Sequence, residues 1–220
     1  PTKFYEKEIK KLGDKAEEIF LKATKQIIID QEECGIDIIT DGEVRRENYI
    51  HYHCRFLKGI DFSNLTKKTA RTGNYDCYLP TIVDQVKFDK PFLSNEFKTN
   101  QNISSKPIKV TIPGPLTITD TIADSYYNDN KKLGFDLSVA INNEIKDLAN
   151  AGCKYIQIDE PLFARKTEEA ISFGVENLER CFHGLPNEIE KIVHICCGYP
   201  DKIDAIDYPK APLNSYNDLS

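Results

Sequence analysis

Residues 140–161 read AINNEIKDLANAGCKYIQIDEP. Over 140–150 the apolar side chains Ala140, Ile141, Ile145 and Leu148 recur at the three-and-four spacing of an amphipathic helix. Ala151-Gly152 closes that helix. Lys154-Tyr155-Ile156-Gln157-Ile158 then reads as a short strand, and it runs out into Asp159-Glu160-Pro161. A helix leading into a strand that ends in polar residues is the unit from which the fold is read.

The unit recurs in both directions. Upstream, Ile9, Leu12, Ala16, Ile19, Phe20, Ala23, Ile27 and Ile28 predict a helix over 4–34 with Gly35 as its cap. The run Ile36-Asp37-Ile38-Ile39-Thr40 follows as a strand ending in Asp41-Gly42-Glu43. Downstream, 167–182 is helical in pattern, and Lys191-Ile192-Val193-His194-Ile195-Cys196 is a strand that stops at Cys197-Gly198. Residues 107–115 form a further strand with a stiff end, Pro113-Gly114-Pro115. Alternating helices and strands imply a parallel sheet, either a barrel or a doubly wound sheet. No Gly-x-Gly-x-x-Gly follows a strand, which argues against a dinucleotide-binding sheet. Polar residues instead gather just after the strands, where a (β/α)8 barrel carries its chemistry. Residues 55–106 break the rhythm and read as an excursion, a hairpin or an active-site loop. No low-complexity tract divides the chain, so 1–220 is expected to be a single domain.

Composition narrows the function classes. The net charge of −6, with Lys interleaved among Glu and Asp, offers no basic stripe for nucleic acid. No apolar run approaches the roughly 18 residues of a membrane span, and Pro1-Thr2-Lys3-Phe4-Tyr5-Glu6-Lys7 is no signal peptide. Seven cysteines at irregular spacing suit free thiols in a reducing, cytoplasmic setting better than a disulfide framework. Met is absent and the chain stops in a polar stretch, so a fragment, incomplete at both ends, is expected.

Three constellations could carry chemistry. His194 and Cys196 are two apart on an expected strand, which puts an imidazole and a thiol on one face. That donor pair suits Zn²⁺; the plainer alternative is a core cysteine beside a hydrogen-bonded histidine. Gln157 and Asp159 share a face of their strand, and a carboxylate there can hold an amino group or take a proton, or simply cap the next helix. Asp41 and Glu43 flank Gly42 and could bind an ammonium group, with Arg45 and Arg46 pairing to them or to a substrate carboxylate; a solvated charge cluster is the alternative. His51-Tyr52-His53-Cys54 is read as packing rather than as a second metal cluster, and Pro113-Gly114-Pro115 as a binding lip or a stiff turn.

Taken together, Asp41-Gly42-Glu43, Ile112-Pro113-Gly114-Pro115-Leu116-Thr117, Gln157-Ile158-Asp159-Glu160-Pro161 and His194-Ile195-Cys196 resemble, in order and separation, the catalytic barrel of cobalamin-independent methionine synthase. The resemblance runs from about residue 15 to about 215 and is nearer to the short single-barrel relatives. It implies a TIM barrel of the methionine synthase and uroporphyrinogen decarboxylase-like type. It also implies a zinc-dependent methyl transfer from a methylated folate, or a similar donor, to homocysteine. His194 and Cys196 match two of the zinc ligands, and Glu43 and Asp159 match the acids that hold the homocysteine amino group. The family's other ligands, a Glu and a second Cys, are expected beyond Ser220. Asp76 and Thr121 stand where the family places an Arg and a Trp against the folate. Another zinc-dependent thiol alkyltransferase, or a barrel fragment without catalysis, are the alternatives.

Overall fold

The computed structural model describes residues 2–70, 75–198, 210–212 and 214–219. The chain starts with two helices, α1 (Thr2–Leu12) and α2 (Lys15–Glu33). The periodicity predicts one helix over 4–34, and the structure corrects this at Gly13. Its φ of +54° is a left-handed conformation that glycine reaches without a Cβ clash. Gly13 N closes back on Ile9 O, and Ala16 N starts the second helix from Gly13 O.

The strand expected over 36–40 shrinks to one parallel bridge between Ile39 and Ile108. The cause is a side chain. Gln31 Oε1 accepts from Thr40 N at 3.0 Å, and Gln31 Nε2 donates to Thr40 O at 2.8 Å. Both backbone groups of Thr40 are thereby withdrawn from any ladder. Helix α3 (Tyr49–Cys54) follows, capped by Asn48, whose Oδ1 accepts from Ile50 N and His51 N.

The excursion is a long antiparallel hairpin, β1 (Leu57–Ala70) with β2 (Tyr75–Phe88), followed by α4 (Leu93–Ile103). The second sheet is parallel. Its first full strand is β3 (Lys109–Pro113). Helix α5 (Pro115–Thr121) and the short β4 (Ala123–Asp124), which pairs with β2, come next. Helix α6 (Asn130–Asn150) leads to β5 (Tyr155–Asp159). A helical stretch, α7 (Thr167–Glu169), a π turn (Ala170–Gly174) and α8 (Val175–Cys181), then leads to β6 (Glu190–His194).

In the parallel sheet each strand lies beside the one that precedes it in the chain: Ile39, β3, β5, β6. A doubly wound sheet reverses its order partway; a barrel does not. The described residues thus form a mixed α/β fold of two three-stranded sheets, one of them running in the barrel's order.

The sheet has two chemically distinct faces. Val110, Ile112, Ile156 and Ile158 point one way and are buried against Leu133, Leu137, Ile141, Ile145 and Leu148 of α6. Those α6 positions recur at three and four and are all within 5% of full burial. Each such side chain contributes roughly 1.5–3 kcal/mol by leaving water. Residues paired across parallel strands share a face, so Thr111 sits beside Gln157, and Asp159 beside His194, on the other side.

The last strand ends earlier than the pattern predicts. β6 stops at His194 because its register partner Asp159 is the last residue of β5. Cys196 therefore lies beyond the strand, and the expected shared strand face of His194 and Cys196 does not form.

Candidate active site at the strand ends

Glu43 reaches the site from a turn. Gly42 and Glu43 both have positive φ, +66° and +55°, and Asp41 Oδ1 holds Glu43 N at 2.9 Å. A non-glycine residue in this region costs about 1–2 kcal/mol, which the surrounding bonds must offset. Glu43 Oε1 accepts from Arg46 Nη1 at 2.8 Å and from Thr111 Oγ1 at 2.7 Å. Arg46 Nη1 also donates to Thr111 Oγ1 at 2.8 Å, and the Arg46 side chain is only 2% exposed. One carboxylate oxygen is thus held from β3 and from its own turn. Oε2 has no hydrogen-bond partner among the described residues. Asp41 is committed to its turn, and Arg45 pairs with Glu17 on the surface, so neither adds to the site.

Asp159 ends β5 with its side chain on the same face. Its Oδ1 accepts from Gln157 Nε2 at 2.6 Å. Burial pushes the Asp159 carboxyl up from the usual range, while the Gln157 bond, His194 and Arg46 pull it down, and Glu43 adds to the rise. Glu43, Arg46, Asp159 and His194 therefore sit within electrostatic reach of one another.

Asp159 does not cap the next helix. The capping is done by its neighbour, in a direction that local reading misses. Glu160 is fully buried, and its carboxylate accepts from Leu116 N (2.9 Å), Thr117 N (3.0 Å) and Thr117 Oγ1 (2.7 Å) at the start of α5. Burial raises its carboxyl to about 7 in spite of those donors. Gly114 is required here, since a Cβ would lie 2.2 Å from Glu160 Oε1. Pro113-Gly114-Pro115 is therefore a stiff turn shaped to admit Glu160. Gly114 N donates to Asp159 O (2.8 Å), and Glu160 N donates to His194 O (2.9 Å). The ends of β3, β5 and β6 are tied together at this corner.

His194 is exposed, on the outer strand of the sheet. Cys196 is half-buried, and its Sγ accepts from Gly198 N at 3.3 Å. Tyr216, on α9 (Asn214–Asp218), has its hydroxyl raised by burial and by the nearby Cys197 and Cys196. Among the described residues no three His, Cys, Asp or Glu side chains gather as a metal-binding group. His194 and Cys196 carry a nitrogen and a sulfur, donor types that could serve as two of the four in a tetrahedral set.

The second histidine cluster is packing. His51 Nδ1 contacts Thr2 Oγ1 and His53 Nδ1 contacts Tyr49 O, both at 2.8 Å. Burial lowers both rings, His51 to about 4, so they stay neutral. Thr121 donates to Thr117 O within its own helix, and Asp76 pairs with Lys67. Sequence reading passed over Lys109, Thr111 and Glu160. Polar residues at alternate positions of the otherwise apolar β3 were the available signal.

Residues 2–208 match the family described as cobalamin-independent synthase, catalytic domain. The chain is 36% identical over 183 residues to a methionine synthase of Saccharolobus solfataricus, covering 83% of this chain and 53% of that protein. It is 32% identical over 210 residues to one of Sulfurisphaera tokodaii, covering 91% of this chain and 60% of that one. The chain thus spans somewhat over half the length of these curated relatives. A solved B12-independent methionine synthase from Shewanella sp. W3-18-1, in complex with selenomethionine, superposes with a TM-score of 0.79 at 35% identity, over 86% of this chain and 55% of that one. A parallel sheet in barrel order, with one acid from a turn and one from a strand end near one another, agrees with these likenesses, and the chain belongs to the cobalamin-independent synthase catalytic-domain family.

Proposed function

We propose that residues 1–220 form one domain, part of a (β/α)8 barrel, of a cytoplasmic methyltransferase that makes methionine from homocysteine and a methylated folate or similar donor. The observation that carries this reading is the pair of aimed carboxylates. Glu43 and Asp159 are each held through one oxygen, and the other oxygen has no hydrogen-bond partner among the described residues. Two such oxygens suit a substrate ammonium group. A thiol acceptor without an amino group would leave the second oxygen of each acid without a donor, while Glu43 keeps Arg46 and Thr111 and Asp159 keeps Gln157. The Shewanella relative, whose structure holds an amino acid, supports the same choice.

His194 and Cys196 would hold zinc. A zinc ion held there would supply Lewis acidity, which would lower the pKa of an incoming thiol. The acids orient the amino acid so that its sulfur faces the methyl donor. A new sulfur–carbon bond forms as the nitrogen–carbon bond of the donor breaks, and the electron pair left on nitrogen takes up a proton. That all seven cysteines are free thiols favours a reducing compartment, and no described helix is long and apolar enough to cross a membrane. Metal analysis and methionine formation in the complete protein test the reading. A His194→Ala, Cys196→Ala double variant should lose both; retention of zinc and activity would overturn it.

A further inference from the structure

The two acids of the site stand on different elements, yet both are aimed by β3, which carries no acid. Its residues on the site face alternate, Lys109 then Thr111. Thr111 donates to Glu43, as described. Lys109 Nζ donates to Gln157 Oε1 at 2.7 Å, and Gln157 Nε2 donates to Asp159 Oδ1 at 2.6 Å. Lys109 and Gln157 are half-buried on this face, and Asp159 is buried.

The order of donors matters. A glutamine amide can present either its oxygen or its nitrogen to a neighbour, and only its surroundings decide. Between an ammonium group and a carboxylate just one orientation is attractive at both ends. The lysine thus selects the rotamer in which Gln157 offers its N–H to Asp159, and that bond leaves Oδ2 free. Without the ammonium the amide is anchored only at Asp159, so the pair can swing together and the acid loses its fixed aim.

We propose that Lys109 is a positioning residue for substrate binding, acting on Asp159 through Gln157. The proposal rests on the reading that Asp159 holds the substrate amino group, and the test separates the two. The complete protein is assayed with homocysteine for KM, kcat, zinc content and melting temperature. Lys109→Met and Gln157→Leu should each raise KM about tenfold, the worth of one charge-assisted hydrogen bond, with kcat and zinc within about twofold of the parent. The double variant should match the singles, because a relay is broken once. Lys109→Arg keeps a cationic donor and should recover most of the loss. Gln157→Glu strengthens the tie to Lys109 but places a like charge on Asp159, so KM should rise further than in Gln157→Leu; a role limited to stability predicts the reverse. Additive effects in the double variant, or a parental KM in Gln157→Glu, would overturn the relay. An unchanged KM in Asp159→Asn would overturn the underlying reading. An impaired Asp159→Asn beside unaffected Lys109 and Gln157 variants would overturn the relay alone. Should Lys109→Met fail to fold, Lys109→Arg and the two Gln157 variants decide.

Discussion

The two halves of the site are built to different standards. Glu43 is held through one oxygen by Arg46 and Thr111, and Asp159 through one oxygen by Gln157. His194 lies exposed on the outer strand, and Cys196 sits past its end, bonded only to the backbone of Gly198 among the described residues. The difference teaches that one stretch of sheet can preorganise a pair of acids, whereas His194 and Cys196, if they hold a metal as proposed, need further ligands to close the site.

Experiments that separate the halves can break this contrast. The largest effect is expected from His194→Ala with Cys196→Ala, which should lower activity on the order of a thousandfold and release zinc. Glu43→Gln and Asp159→Asn should raise KM for the amino acid by roughly ten- to a hundredfold while zinc stays bound. Zinc loss in either, measured by metal analysis, would show that the halves are not independent. Gly114→Ala strikes the corner that joins them, since its Cβ meets Glu160. It should destabilise the fold by about 3 kcal/mol in chemical denaturation.

Acids that lock the fold should respond to pH differently from the two acids proposed to face substrate. Glu144 is 5% exposed, and its Oε1 accepts from Phe92 N and Leu93 N ahead of α4. Burial raises its carboxyl from 4.5 to about 7. The folded state therefore binds the extra proton, so the stability is complete below about 4.5 and is lost as pH rises through about 7. Melting temperature should fall between about pH 4.5 and pH 7 and level off above that, and Glu144→Gln should flatten part of that fall, Glu160 supplying the rest. Glu17→Ala, at the exposed Arg45 pair, sets the baseline: less than about 1 kcal/mol and no change in KM.

What could be read from the sequence was local. Asp159 and Glu43 stand out as candidates because each follows an apolar run, and the parallel sheet follows from repeated helix–strand units. What escaped depends on partners far along the chain. Thr111 meets Glu43 across 68 residues, and Glu160 meets Thr117 across 43. The strand over 36–40 was overstated because the competing group was a side chain, Gln31, nine residues away. Cys196 left its strand because β5 ended at Asp159, a limit imposed by the neighbour and not by residues 190–196. Gly13 looked like one more position in a long helix, and only its φ shows the break.

The strand order of the parallel sheet also bears on synthesis. Each strand pairs with one already made, so the sheet can grow as the chain leaves the ribosome, amino end first. Glu43, Lys109, Thr111, Gln157 and Asp159 have all emerged by residue 159, some thirty-five residues before His194. A nascent chain halted between the two would already hold both acids while still lacking His194 and Cys196.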